Sequence, residues 1–297
     1  YKVSEDKKVR IIIDTDAACE ADDPFAVAHA LMCQKFDVRA IFAEQFNREG
    51  STRQSYEEIL TVLRAMKKEV PVFMGEETKI SEKKQGEEVS PAADFLIEEA
   101  MREDEKPLFV LCIGAITNVA SAMMKEKEIA KHMTIVWIGG QGHEHSTPEV
   151  REFNAGNDVE AINYVLNSGV TFWQIPNDVY GKMRISLAEI ERRIAPCGEI
   201  GRHLFENMET YNHSEHAGWT AGESWTLGDS PAVGVVLDPD CGFYHETEAP
   251  IILDDTTNKF EKGRPKIRVY TSVDSRFILE DFIAKLEVLY GKDSDTK

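Results

Sequence analysis

Residues 11–23 read Ile-Ile-Ile-Asp-Thr-Asp-Ala-Ala-Cys-Glu-Ala-Asp-Asp, so three β-branched side chains pass directly into five carboxylates. A short apolar run that stops abruptly in acids is the pattern of a buried strand whose end opens onto a site. Asp14 and Asp16 are two apart, so on an extended chain they are expected on one side. Asp22 and Asp23 then start a helical pattern through Phe25, Ala26, Ala28, His29, Ala30 and Met32. Like charges this dense repel unless a hard cation with a preference for oxygen ligands sits among them. The plainer alternative is a solvated acidic turn with Asp22 capping the helix.

The rest of the chain alternates in the same manner. Strands are expected at 9–14, 38–43, 108–113, 133–138, 170–174 and 267–271. Helices are expected at 22–34, 51–67, 92–102, 117–125, 159–166, 187–194 and 276–289. Strands separated by helical stretches predict an α/β fold with a mostly parallel central sheet, flanked by helices and Rossmann-like in its core. A length of 297 residues suits one domain over 1–297. The segment 76–90 is charged and poor in apolar residues, and is expected to be a mobile loop.

Composition narrows the partners. A net charge of −19 disfavours nucleic acid, whose binding relies on Lys and Arg neutralising phosphates. No apolar run approaches the roughly 18 residues of a membrane span, so no membrane partner is expected. Five scattered cysteines without a CxxC pair are expected to be thiols in a reducing, cytoplasmic setting. A small uncharged or cationic ligand, or a bound divalent cation, remains compatible.

In parallel sheets the segments after the strands supply the site. Here these are 14–23, 44–47, 113–118, 139–154 and 177–180. Glu152 and Asn154 flank Phe153, and if locally extended they present an acceptor and an amide to one side, which suits sugar hydroxyls. Asp158 is placed to cap the following helix. Asp229 stands before Ser230-Pro231 and an apolar run, an arrangement that a helix start also explains. The stretch 205–228 carries Tyr211, His213, His216, Trp219 and Trp225, which are candidates to stack on a planar ligand. His143 and His145 are expected to be loop residues.

Taken in order, Asp14-Thr15-Asp16…Asp22-Asp23, Ile116-Thr117-Asn118, Glu152-Phe153-Asn154 with Asp158-Val159-Glu160-Ala161, and Gly228-Asp229 resemble the inosine–uridine preferring nucleoside hydrolase family. The resemblance spans roughly 9–290. It implies a calcium-dependent hydrolase that splits a ribonucleoside into base and ribose. Asp16, Asp23, Asp229 and the Ile113 carbonyl would ligate one Ca²⁺, which would hold ribose hydroxyls and a water whose pKa it lowers. Asp16 would be the general base. Asp22, Asn47, Glu152 and Asn154 would bind the ribose, and Asp14 would orient the site from behind. The resemblance also implies a homodimer or homotetramer.

Two departures stand out. Five residues separate Asp16 from Asp22 where the family has three, and Gly228 replaces a His that protonates the leaving base in many members. The leaving base then needs another donor or an aromatic stack, with Trp219 and Trp225 as candidates. Two other readings are weighed. One is a Ca²⁺-dependent riboside- or polyol-binding protein without turnover. The other is a haloacid-dehalogenase-type phosphatase, which lacks its late acidic pair here and has no place for Glu152-Phe153-Asn154.

Overall fold

The β-branched run of the first motif forms β1 (Val9–Thr15), buried along its whole length, in a computed structural model that describes residues 1–83 and 86–291. Ile11 and Ile13 face one hydrophobic core while Ile12 faces another, as the two-residue repeat of a strand requires. Around β1 lie β2 (Phe36–Ala43), β3 (Val72–Met74), β4 (Leu108–Cys112), β5 (Met133–Ile138) and β6 (Thr171–Ile175). The minor strands are β7 (Arg184–Ser186), paired with β8 (Ser224–Thr226), and β10 (Ile251–Ile252), paired with β11 (Asn258–Lys259). The last strands of the main sheet are β9 (Gly242–Glu248) and β12 (Lys266–Val273).

The main sheet has the order β3-β2-β1-β4-β5-β6-β12-β9. Its pairs are parallel except β12 with the edge strand β9. The order reverses between β1 and β4, where Asp14 is in register with Cys112. Ligands of open parallel sheets bind in the crevice outside such a reversal, at the carboxyl ends of the strands.

One face is covered by α1 (Asp23–Met32), α2 (Ser51–Met66), α9 (Gly198–Asn212), α10 (Ser230–Leu237) and α11 (Ser275–Tyr290), through residues such as Phe25, Ile59, Ile200, Val233 and Phe282. The other face is covered by α3 (Pro91–Met101), α4 (Thr117–Lys125) and α6 (Val159–Asn167), through Leu96, Val119 and Ile162. Short helices α5 (Phe153–Asn157), α7 (Asn177–Tyr180) and α8 (Leu187–Glu189) complete the set. The expected helix at 187–194 is a single α turn followed by a π-helical turn over Ile190–Ile194.

The segment expected to be a mobile loop is tied down at both ends of its described part. Glu76 is buried, its carboxylate accepts from the Ser90 backbone, and Lys83 pairs with it at 2.6 Å. Residues 84–85, part of that expectation, lie outside the described residues, as do 292–297 of the expected 1–297 domain.

Candidate active site

At the reversal point the chain leaves β1 at Thr15, and Asp16 follows the strand's last residue. Strand alternation therefore fails for the two acids expected side by side. Asp16 lines a pocket of about 70 Å³, while Asp14 lies behind it. Asp22, Asp23 and Asp229 line the same pocket, and one carboxylate oxygen from each lies within 4.8 Å of the others. All four are nearly inaccessible, at 2%, 9%, 3% and 5% exposure for Asp16, Asp22, Asp23 and Asp229, which rules out a solvated acidic turn. Among the described residues the pocket wall holds no Lys, Arg or His.

Local contacts hold the acids in place. Thr15 Oγ1 donates to Asp23 Oδ1 at 2.5 Å, and the Gly228 N–H donates to Asp22 Oδ2 at 2.9 Å. Asp22 stands at the N-terminus of α1, but its side chain makes no cap there. Gly114 passes so close to Asp16 that an added Cβ would stand 2.8 Å from Asp16 Oδ1, which explains a glycine at that turn. The five residues between Asp16 and Asp22 fold back and place Cys19 and Glu20 on the pocket wall.

Burial is the first cause of the electrostatics, and mutual repulsion adds to it. Burial raises Asp23 to about 7, with Asp22 adding its charge, and burial raises Asp22 to about 6 against its backbone hydrogen bonds. Asp16 and Asp229 are pushed well above the usual carboxylate range by the same two causes, and Glu20 to about 8. A cluster of acids this reluctant to ionise has the donor chemistry of a site for a hard divalent cation.

Glu152 and Asn154 reach the pocket from α5, not from an extended segment. Glu152 is the N-cap of α5, where its carboxylate accepts from the backbone of Asn154 and Ala155. It also accepts from Gly140 N at 2.7 Å and from Tyr180 Oη at 2.8 Å. Asn154 Nδ2 donates to the Ile138 carbonyl at 2.9 Å and to the Ile113 carbonyl at 3.4 Å, so Ile113 presents its carbonyl at the pocket.

Behind the pocket lies a buried polar layer. Asp14 Oδ1 accepts from Asn118 Nδ2 at 2.8 Å, while the Asn118 N–H donates to Glu44 Oε2 at 3.1 Å. Glu44 is fully buried, and desolvation followed by the Asp14 charge holds its pKa well above the usual range. Gln45, Thr117 and Asp158 extend the layer, and Asp158 also caps α6. Glu44 and Tyr180 lie in the segments 44–47 and 177–180 expected to supply the site, but neither is given a role by the sequence, because neither belongs to a motif.

The remaining expectations divide. Asn47 is exposed, takes a left-handed backbone, and lines a separate cavity with Gln45, Arg48 and Lys79. Trp225 is fully buried in the core, so it cannot stack on a ligand. Trp219 is half exposed and packs edge-on against Trp225, as does Tyr211. Burial, followed by the charges of Glu20 and Asp22, pushes the Tyr211 phenol up, but neither Tyr211 nor Trp219 lines the acid pocket itself. His143 is a loop residue as expected, bonded to Gln174 and outside the pocket. A larger open groove of about 1170 Å³ lies along α6 and β10, but its Arg151 and Arg264 are spent on backbone carbonyls.

The inosine-uridine preferring nucleoside hydrolase family model matches residues 11–280. A pyrimidine-specific ribonucleoside hydrolase RihA of Salmonella arizonae is 30% identical over 236 residues, covering 71% of this chain and 74% of that protein. Among solved structures, a purine-preferring ribonucleoside hydrolase from Gardnerella vaginalis superposes with a TM-score of 0.78 at 20% identity, covering 95% of this chain and 99% of that one. A plant nucleoside hydrolase, PpNRh1, gives a TM-score of 0.76 at 19% identity, covering 94% and 98%. The fold and the family match are therefore those of an N-glycosyl hydrolase acting on ribonucleosides. The chain belongs to the inosine-uridine preferring nucleoside hydrolase family. Among the described residues no helix is long and apolar enough to cross a membrane.

Proposed function

We propose that the protein hydrolyses the N-glycosidic bond of ribonucleosides with a calcium ion held by Asp16, Asp23, Asp229 and the Ile113 carbonyl, and with Asp22 close enough to join them. The observation that carries this reading is the convergence of four buried carboxylates with, among the described residues, no Lys, Arg or His on the pocket wall. Calcium takes six to eight oxygen ligands in flexible geometry, which suits a wall of carboxylates and a carbonyl. When bound, it supplies positive charge that grips ribose hydroxyls and acidifies water.

The chain's own residues do the rest. Asp16 accepts the proton of the attacking water, whose oxygen bonds to C1′ as the C1′–N bond breaks. The surrounding carboxylates stabilise the positive charge that develops on the ribosyl carbon. Asn154, its Nδ2 held on the Ile138 and Ile113 carbonyls, turns its Oδ1 to accept from a sugar hydroxyl, while Glu152 holds the Tyr180 phenol and the start of α5 in place beside it. The small pocket admits the sugar, and the base lies at the mouth toward Trp219 and Tyr211. The family's leaving-group His has no counterpart at Gly228, so the departing base is served by an aromatic wall and by solvent. The five cysteines are free, in keeping with a cytoplasmic enzyme.

The test is release of free ribose from a panel of purine and pyrimidine ribonucleosides, with calcium and then with a chelator. Release that stops on chelation and returns with calcium supports the reading. No release from any nucleoside, with calcium bound, favours a riboside-binding protein instead.

A further inference from the structure

Among the described residues, Tyr180 is the one pocket-lining side chain that is a neutral hydroxyl. Its α7 position follows β6, so the sheet delivers it to the same end as the acids. The phenolic proton is donated to Glu152 Oε1 at 2.8 Å, and among the described residues nothing donates to the phenolic oxygen in return. The other oxygen of Glu152 is occupied by the N–H groups of Gly140 and Ala155. Glu152 therefore keeps little free acceptor capacity toward the pocket, whereas the Tyr180 oxygen retains its own.

The ring is held by its packing on Gly228. A Cβ at position 228 would stand 3.2 Å from Tyr180 Cδ2, so the ring lies where a side chain from 228 would begin. Burial and the nearby Glu152, Glu20 and Asp229 charges push the phenol well above its ordinary range, so the proton stays on oxygen.

We infer that Tyr180 is a further substrate-positioning residue, its phenolic oxygen accepting a hydrogen bond from a sugar hydroxyl and passing it on to Glu152. The inference rests on the ribonucleoside reading above. A relay of this kind orients the donor and acceptor together, because one oxygen receives from the sugar while its proton faces the carboxylate. No bond to carbon changes and no proton is transferred in the relay.

The test compares Tyr180→Phe with the unaltered enzyme on one good ribonucleoside and on its 2′-, 3′- and 5′-deoxy analogues. Phe keeps the ring that packs on Gly228 and removes only the oxygen. A hydrogen bond tied to a charged group predicts that kcat/KM on the ribonucleoside falls about 10- to 100-fold. On the analogue lacking the relayed hydroxyl, the two proteins should then be equal within about threefold. Calcium affinity and melting temperature serve as controls and should not move. Equal loss on all four substrates, or no loss on any, overturns the inference while leaving the hydrolase reading intact. Failure of the unaltered enzyme to release ribose from any nucleoside overturns both.

Discussion

The Gly228 N–H donates to Asp22 Oδ2 at 2.9 Å, joining the last motif of the chain to the first across 206 residues. That contact holds the N-terminus of α10, and Asp229 with it, against the acids that follow β1. Position 228 also has little room, with Tyr180 Cδ2 3.2 Å and Asp22 Oδ2 3.3 Å from where a Cβ would stand. Gly228→Val is expected to displace Asp22 or Tyr180 and weaken calcium binding by about tenfold or more, since a shift of one ångström in such a site is costly. Calcium titration followed by calorimetry checks this, and an unchanged affinity would show that the contact is dispensable.

Asn118 satisfies two buried layers at once. Its Nδ2 donates to Asp14, and its Oδ1 accepts from Glu76 N at 2.7 Å. Asn118→Ala removes the amide donor from the buried Asp14 carboxyl and leaves the Glu76 amide unpaired in the interior. We expect a loss of about 2–4 kcal/mol in stability, read by denaturant unfolding. A loss below about 0.5 kcal/mol would mean that the layer repacks or takes in water.

The two tryptophans should separate cleanly. Trp225 is fully buried, so Trp225→Ala opens a cavity and is expected to destabilise by about 3–5 kcal/mol. Trp219 is half exposed at the aromatic group near the pocket, so Trp219→Ala should leave stability within about 1 kcal/mol while changing KM between bases. Parallel melting curves and kinetics on two bases decide it. A selectivity change with Trp225→Ala alone would reverse the assignment.

The acids make stability depend on pH, and the sign follows from their raised pKa values. Asp22 at about 6 and Asp23 at about 7 bind protons in the folded chain that the unfolded chain has already released above about pH 4. Stability from these groups is therefore full below about pH 4 and is lost as pH rises through 6 and 7. The metal-free protein should melt at a lower temperature at pH 7.5 than at pH 5.5. Calcium should raise the melting temperature more at pH 7.5, because it binds the ionised acids. Equal melting of the metal-free protein at both pH values would show that the cluster is not under strain.

The central strands were legible because β1, β2, β4 and β5 each carry a buried apolar run, at 11–13, 40–43, 110–112 and 135–138. The edge strand β9 was not legible, since Gly242–Glu248 is largely exposed and carries no apolar alternation. Helix α9 escaped for another reason. Gly201 breaks its helical pattern, and it is required there because a Cβ would run into the Ile194 carbonyl. Asp16, Asp22, Asp23, Asp229, Glu152 and Asn154 were brought to one pocket from motifs 200 residues apart in the chain. Asn47 was not, because the turn after β2 directs it to a different cavity. The burial of Trp225, on β8, depends on Tyr211 of α9 and Trp219 packing against it, which no local pattern encodes.

The most direct test of the account is ribose release by Asp16→Asn, measured beside the unaltered enzyme at saturating calcium with bound metal quantified in both. Asp16 lines the pocket beside Asp23 and is assigned the water's proton. Asn keeps the shape and an oxygen ligand but cannot take that proton. The account predicts a fall in kcat of about 100- to 10,000-fold with the metal still bound. Undiminished turnover in a metal-loaded Asp16→Asn protein would contradict it.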